Sequence, residues 1–335
     1  MNGDKKRGRM IFFLLLPILL FLISLGIGSY PISPFDVVTI LFKGITGNEF
    51  LKDPMAFHLL FTVRLPRIIS AVLIGAGLSV SGAVFQGLFK NPLADPYTLG
   101  VSNGAGFGAG LAIVLSLSTL QIQLVATIFG LFAVLLTFLL SIHSKHSTVS
   151  LVLSGMLVGS LFSSLISLIK FTADPFEKLP EIVFWLMGSL VSINYEKILR
   201  ILPAYVLCML FLFLIRWRLN VLSLGSEEAQ SFGIPVKRDR TLAILACSII
   251  TALVVSISGI IGWVGIVIPH LARMIVGADF RKLLPASASL GICYLLLIDD
   301  LCRTLTATEI PIGVITGIIG VPLFAYFIYR KKVHW

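Results

Sequence analysis

Residues 64–110 read RLPRIISAVLIGAGLSVSGAVFQGLFKNPLADPYTLGVSNGAGFGAG. Arg64 and Arg67 flank a Leu-Pro pair, and an apolar run then passes Gly75, Gly77 and Gly82 to reach Phe89. That run is long enough for a bilayer span, which takes about 20 residues. Lys90-Asn91-Pro92-Leu93-Ala94-Asp95-Pro96 supplies a turn, because two prolines and an Asn-Pro pair interrupt a helix. A second uncharged run follows through Gly100 to Gly110. The stretch reads as two membrane helices joined by a tight turn, with a charged pair at one end.

The rest of the chain fits that reading. Of its 335 residues, 57% are hydrophobic and 13% charged, against about 25% charged in ordinary soluble domains. Mean hydropathy is +1.01. The formal net charge of +10 fits basic residues flanking spans on the cytoplasmic side better than nucleic-acid binding. Cys208, Cys247, Cys293 and Cys302 lie in or beside apolar runs without a CxxC pair, which points to packing and not to a disulfide or metal.

About ten spans fit, near 10–28, 67–89, 96–115, 121–142, 148–170, 201–215, 241–258, 263–276, 283–301 and 310–329. The first reads as a retained helix, not a cleaved signal, since its apolar run is long and lacks a small-residue cleavage site. Residues 30–63, with several prolines and acids, read as an external loop. Ile182 to Ile193 is too short to span and reads as a short external helix. Both termini fall on one side. Seventeen of the 26 Lys and Arg share that side and nine lie opposite, so the termini are expected in the cytoplasm. The chain is expected to be one transmembrane domain, 1–335, multi-pass in the cytoplasmic membrane and in contact with lipid.

Enzyme signatures are missing. There is no HExxH, no GxSxG and no Gly-Lys dipeptide, hence no Walker A loop. His143 and His146 lack nearby carboxylate or cysteine ligands, so no metal is expected, nor any cofactor. Gly104 to Gly110 loosely follows a dinucleotide loop but has no preceding strand; small residues at every fourth position suit close helix packing. Transport remains. A charge at mid-bilayer costs about 2.5–3.5 kcal/mol on insertion scales, and only Asp95, Asp299, Asp300 and Glu309 come near the spans, all at predicted ends. An energy source outside this chain is therefore expected; the alternative is an ion- or proton-coupled carrier working alone. The segment 219–240 holds Leu224, Gly225, Ser226, Glu227, Glu228, Ala229 and Gly233. Ser226 is placed to cap a short helix, with the two glutamates in its first turn and Gly233 and Pro235 ending it. This is either an ordinary amphipathic loop helix or one that docks into a cytoplasmic partner.

Three ordered blocks resemble one family. The first is Arg64-Leu-Pro-Arg67 with Ser81-Gly82, Gln86, Asn91-Pro-Leu-Ala94, Pro96, Leu99-Gly100 and Gly104-Ala105. Leu224-Gly225 with Glu228-Ala229 and Gly233 follows, then Gly262, Val264-Gly265, Pro269-His270, Arg273, Gly277, Asp279, Arg281, Leu284-Pro285 and Asp300. Arg303, Glu309-Ile-Pro311-Ile-Gly313 and Gly320-Val-Pro322 close the series. Over roughly residues 60–330 the chain resembles the membrane permeases of ABC importers for iron-siderophores, haem and cobalamin. The resemblance implies an all-α type II importer permease fold of ten helices, with helices 2–5 and 7–10 as an inverted repeat. It implies a homodimer around a central path, cytoplasmic ATP-binding subunits that hydrolyse the ATP, and an extracytoplasmic substrate-binding protein. Arg64, Arg67 and Arg303 match the family's arginines that meet glutamates of that binding protein, although arginine at a span end also snorkels to the interface. Leu224 to Gly233 matches its ATPase-coupling segment, with Ser226 where members often carry an acid. Ser154, Ser160, Ser163 and Ser164 on the fifth helix are candidate pore-lining residues, or equally small residues for helix packing. No residue selects among iron-siderophore, haem, cobalamin or an oxyanion as cargo.

Overall fold

The computed structural model describes residues 2–28, 30–46, 54–142, 147–306 and 308–329, and these contain helices and no strand. His143 and His146 lie outside them. The first helices are α1 (Asn2–Gly26), α2 (Pro34–Thr46), α3 (Pro54–His58) and α4 (Leu65–Phe89), with a π-helical turn, Leu59–Arg64, joining α3 to α4. Then come α5 (Val101–Val114), α6 (Thr119–Leu140), α7 (Thr148–Thr172), α8 (Lys178–Met187), α9 (Tyr195–Leu214) and α10 (Arg216–Leu224). α11 (Ser226–Ser231), α12 (Val236–Ser258), α13 (Val264–Val276), α14 (Phe280–Thr304) and α15 (Ile312–Tyr329) complete the described helices. Among the described residues, six apolar helices are long enough to cross a membrane, and four shorter apolar segments lie at Leu15–Gly26, Val101–Val114, Val264–Val276 and Ile312–Phe327. These ten overlap the ten spans expected from the sequence, the second beginning well before its expected start.

Within the expected external loop, Pro34–Thr46 and Pro54–His58 are helical. Pro34 and Pro54 open α2 and α3, where the missing proline N–H costs nothing. Ser33 Oγ accepts from the Asp36 N–H at 3.2 Å, an N-terminal cap. The second span therefore starts at Pro54, not after Arg67, and runs unbroken for 36 residues to Phe89. Pro66 cannot donate to the Thr62 carbonyl; the preceding turn widens, and the Leu65 N–H bonds Leu60 instead.

Two quartets repeat one pattern. α4–α7 are 25, 14, 22 and 25 residues long, and α12–α15 are 23, 13, 25 and 18. In each, a long helix breaks into a short one of about 20 Å. α4 ends at Lys90, which takes the left-handed conformation (φ 49°). α12 ends at Gly259 (φ 70°), and Trp263, also left-handed, opens α13. The breaks meet. Tyr97 Oη donates to the Ile261 carbonyl at 2.7 Å and Gln86 Nε2 to the Ile266 carbonyl at 3.1 Å, while Pro96 fills the space a side chain would need at Gly265.

α4 lies at the centre, buried along most of its length, with α12, α13 and α14 around it. α5 rests on α6 through Gly104 and Gly108. A Cβ at these positions would lie 2.5 Å from the Phe129 carbonyl oxygen and 2.6 Å from that of Val125. Close backbone approach is thus their role, not nucleotide binding. Gly104→Val should lower the unfolding midpoint in detergent by about 1–3 kcal/mol of stability, the usual cost of overpacking; an unchanged midpoint would contradict the contact.

Candidate functional site

Functional groups gather at the two ends of the bundle and along one exposed face. At the first end, Arg64 closes the π-turn, Arg67 sits in the first turn of α4 and Arg303 in the last turn of α14. All three are at most 5% exposed. Arg67 Nε bonds Asp299 Oδ1 at 2.8 Å, and its Nη1 bonds Glu309 Oε2 at 2.5 Å. Arg303 Nε faces Asp299 Oδ2 at 3.1 Å, and its Nη2 pairs with Asp300. Ser24 Oγ donates to Asp300 Oδ2 at 2.7 Å. Arg64 Nη1 donates to the Leu25 carbonyl at 2.7 Å and its Nη2 to that of Tyr30. Arg303 Nη1 reaches the Ile27 carbonyl at 3.0 Å.

Three arginines and three carboxylates therefore tie α1, α4, α14 and the approach to α15 together. The guanidinium groups lie beneath the surface and are turned toward the chain's own acids and carbonyls. Spacing on α14 carried part of this signal: Asp299 and Asp300 stand four and three residues before Arg303, which is ion-pair geometry on a helix. The partnership of Arg67 with Asp299 spans 232 residues and had no local signal.

At the other end lie α10, α11 and the start of α12. Leu219, Val221 and Leu222 anchor α10 in the core. Asn220 Nδ2 donates to Asp279 Oδ1 at 2.7 Å, and Asn220 Oδ1 accepts from the Phe280 N–H at 2.7 Å. Burial opposes ionisation of Asp279, but the Arg281 N–H, Asn220 and the charges of Arg281 and Lys282 hold its carboxyl below the usual range. Arg218 pairs with Asp239 at 2.9 Å. Gly225 (φ 150°, ψ 172°), not Ser226, is the N-cap of α11; this conformation is essentially glycine's alone. Ser226 is instead the first helical residue, so the expectation that it occupies the cap position is corrected. Gly233 (φ 72°) follows α11, and Pro235 precedes α12, as expected. Ala229 is fully buried, whereas Leu224 and Phe232 are 56% and 62% exposed. Glu227, Glu228 and Gln230 are also exposed. The result is a knob with apolar tips and acidic flanks.

The exposed face runs along α7. Ser160, Ser163 and Ser164 are exposed among Leu157, Leu161 and Leu168. Ser164 Oγ bonds the Ser160 carbonyl and Ser167 Oγ that of Ser163, both at 3.1 Å, so these hydroxyls are satisfied within their own helix. Ser154 is instead buried against the chain.

The profile of the FecCD transport family matches residues 15–330. The chain is similar to the molybdate import system permease protein MolB of Haemophilus influenzae, at 43% identity over 95% of this chain and 94% of that one. It is also similar to the hemin transport system permease protein HmuU of Yersinia pestis, at 36% over 99% and 98%. Among solved structures, an inward-facing conformation described as a metal-chelate type ABC transporter superposes with a TM-score of 0.87 at 41% identity. That superposition covers 97% of this chain and 99% of the other.

Removing one partner of a buried ion pair costs about 3–5 kcal/mol. Asp299→Asn leaves Arg67 and Arg303 facing a neutral amide, and should destabilise the detergent-solubilised protein by that order. An unaltered unfolding midpoint would free both arginines for surface contacts.

Proposed function

The chain belongs to the FecCD transport family, and on that premise we propose that it carries a metal chelate of the iron-siderophore, haem or cobalamin class inward by alternating access. It is a multi-pass ABC importer permease with the type II fold, not an enzyme. ATP is hydrolysed by a separate subunit, and a substrate-binding protein delivers the cargo. The ion-coupled carrier is disfavoured physically as well, because Asp299, Asp300 and Glu309 are held by arginines and are not available as proton-coupling groups.

The coupling knob carries this reading. A short helix with its small residue Ala229 buried and with Phe232 and Leu224 projecting suits insertion into a cleft of an ATPase subunit. The whole chain acts as one transmembrane unit, with 219–240 as the part that faces the ATPase. The termini lie on that side, in the cytoplasm, where the basic residues concentrate. A second copy of the chain packs along the apolar face of α7 and places Ser160, Ser163 and Ser164 beside the shared path; lipid covers the remaining apolar surface. The binding protein docks at the arginine end. There Arg64, Arg67 and Arg303 serve docking by fixing the ends of α1, α4 and α14 from beneath. The relatives' cargoes, molybdate and hemin among them, leave the chelate class to be tested directly.

Proteoliposomes holding the permease, its ATPase subunits and its binding protein should take up ferric siderophore, hemin or cobalamin only with ATP. Phe232→Asp should abolish co-purification of the ATPase while the permease stays folded. Uptake driven by an ion gradient without ATPase would overturn the importer reading, and uptake of molybdate alone would overturn the chelate class.

A further inference from the structure

Lys90 sits where the backbone asks for a different residue. It caps α4 in the left-handed region (φ 49°, ψ 37°), which glycine and asparagine adopt readily and a long side chain does not. Its side chain reaches what glycine could not. Nζ donates to the Leu224 carbonyl at 2.5 Å, across 134 residues. Leu224 ends α10, and the last carbonyls of a helix lack partners within it and favour a cation. A Cβ built at Gly225 would lie 3.4 Å from that same ammonium and against the Glu228 carboxylate. Lys90 thus stands at the hinge between α10 and α11, close to the base of the coupling knob.

From Lys90 the turn runs onward as a braced unit. Asn91 Oδ1 accepts from the Leu93 N–H at 2.9 Å. Asp95 Oδ1 accepts from the Tyr97 N–H at 2.9 Å and from Thr98 Oγ1 at 3.1 Å. Tyr97 Oη then donates to the Ile261 carbonyl, inside the α12–α13 break. A short turn braced by these local bonds joins the knob, held by Lys90 at one end, to the interrupted helix in the bundle interior, held by Tyr97 at the other.

We propose that Lys90 is a positioning residue for transport, tying the coupling knob to the α4–α5 turn so that displacement of α11 reaches the α12–α13 break. This rests on the reading of 219–240 as the ATPase-coupling segment. The test uses the full importer in proteoliposomes and compares wild type with Lys90→Gly, Lys90→Met and Lys90→Arg. Uptake, ATP hydrolysis, co-purification of the ATPase and unfolding midpoint are all read. Lys90→Gly suits the left-handed backbone, so its midpoint should not fall. Both Lys90→Gly and Lys90→Met should lose about tenfold or more of ATP-driven uptake, as expected for a charged hydrogen bond removed from a working contact. ATP hydrolysis and co-purification should persist, and Lys90→Arg should retain most uptake. Lys90→Gly importing like wild type would overturn the proposal, as would loss of the ATPase from either variant, which would make Lys90 an assembly residue. Wild type that recruits no ATPase at all would overturn the coupling reading itself, and that result appears in the wild-type sample alone.

Discussion

Hydrocarbon offers no partner to an unsatisfied N–H or C=O, so a helix that breaks inside a bundle must find its partners in protein. This chain breaks two helices and sets the breaks against each other. Tyr97 from the first reaches the Ile261 carbonyl in the second, and Gln86 near the end of α4 reaches the Ile266 carbonyl in the first turn of α13. The contact demands close backbone approach, which Gly265 permits against Pro96. The short helices α5 and α13, the central place of α4 and the repeated order of lengths are consistent with that mutual satisfaction.

Charge follows the same logic at the arginine end. Taking a guanidinium out of water is costly unless opposite charge and hydrogen bonds replace the solvent. Asp299 faces two arginines, and Asp300 pairs with Arg303 and accepts from Ser24. Such a cluster fixes geometry more than it adds net stability. It holds α1 against α14 and locks the outer turn of α4. The α10–α11 end is built differently, with a small buried contact at Ala229 and the apolar tips Leu224 and Phe232 left open.

Much of this was legible in the residues. Glycine and proline marked both breaks, and Ser118 with Gln121 forms the capping box that separates the third and fourth spans. Gly104 and Gly108 were readable as a packing surface. Errors arose where one residue type carries two meanings. Pro34 and Pro54, taken with the neighbouring acids as signs of a loop, are helix starts, and Asp36 favours the first turn of α2. Ser226 has the chemistry of a cap, but Gly225 alone fits the backbone there. Arg303 has its acids three and four residues away on its own helix, but the partners of Arg67 lie 232 and 242 residues away and Arg64 bonds carbonyls at the α1 end, and no local pattern reveals those.

The unbroken run from Pro54 to Phe89 has one more consequence. At 1.5 Å per residue its 36 residues make a rod of about 54 Å, well beyond the ~30 Å of hydrocarbon. It carries Arg67 about a third of the way along and delivers the chain to Lys90 at its far end. A body of that length is a lever. Pivoted at Lys90, a tilt of about 10° would swing Pro54 by about 9 Å, so a small rotation at one end of the bundle corresponds to a displacement larger than a helix turn at the other.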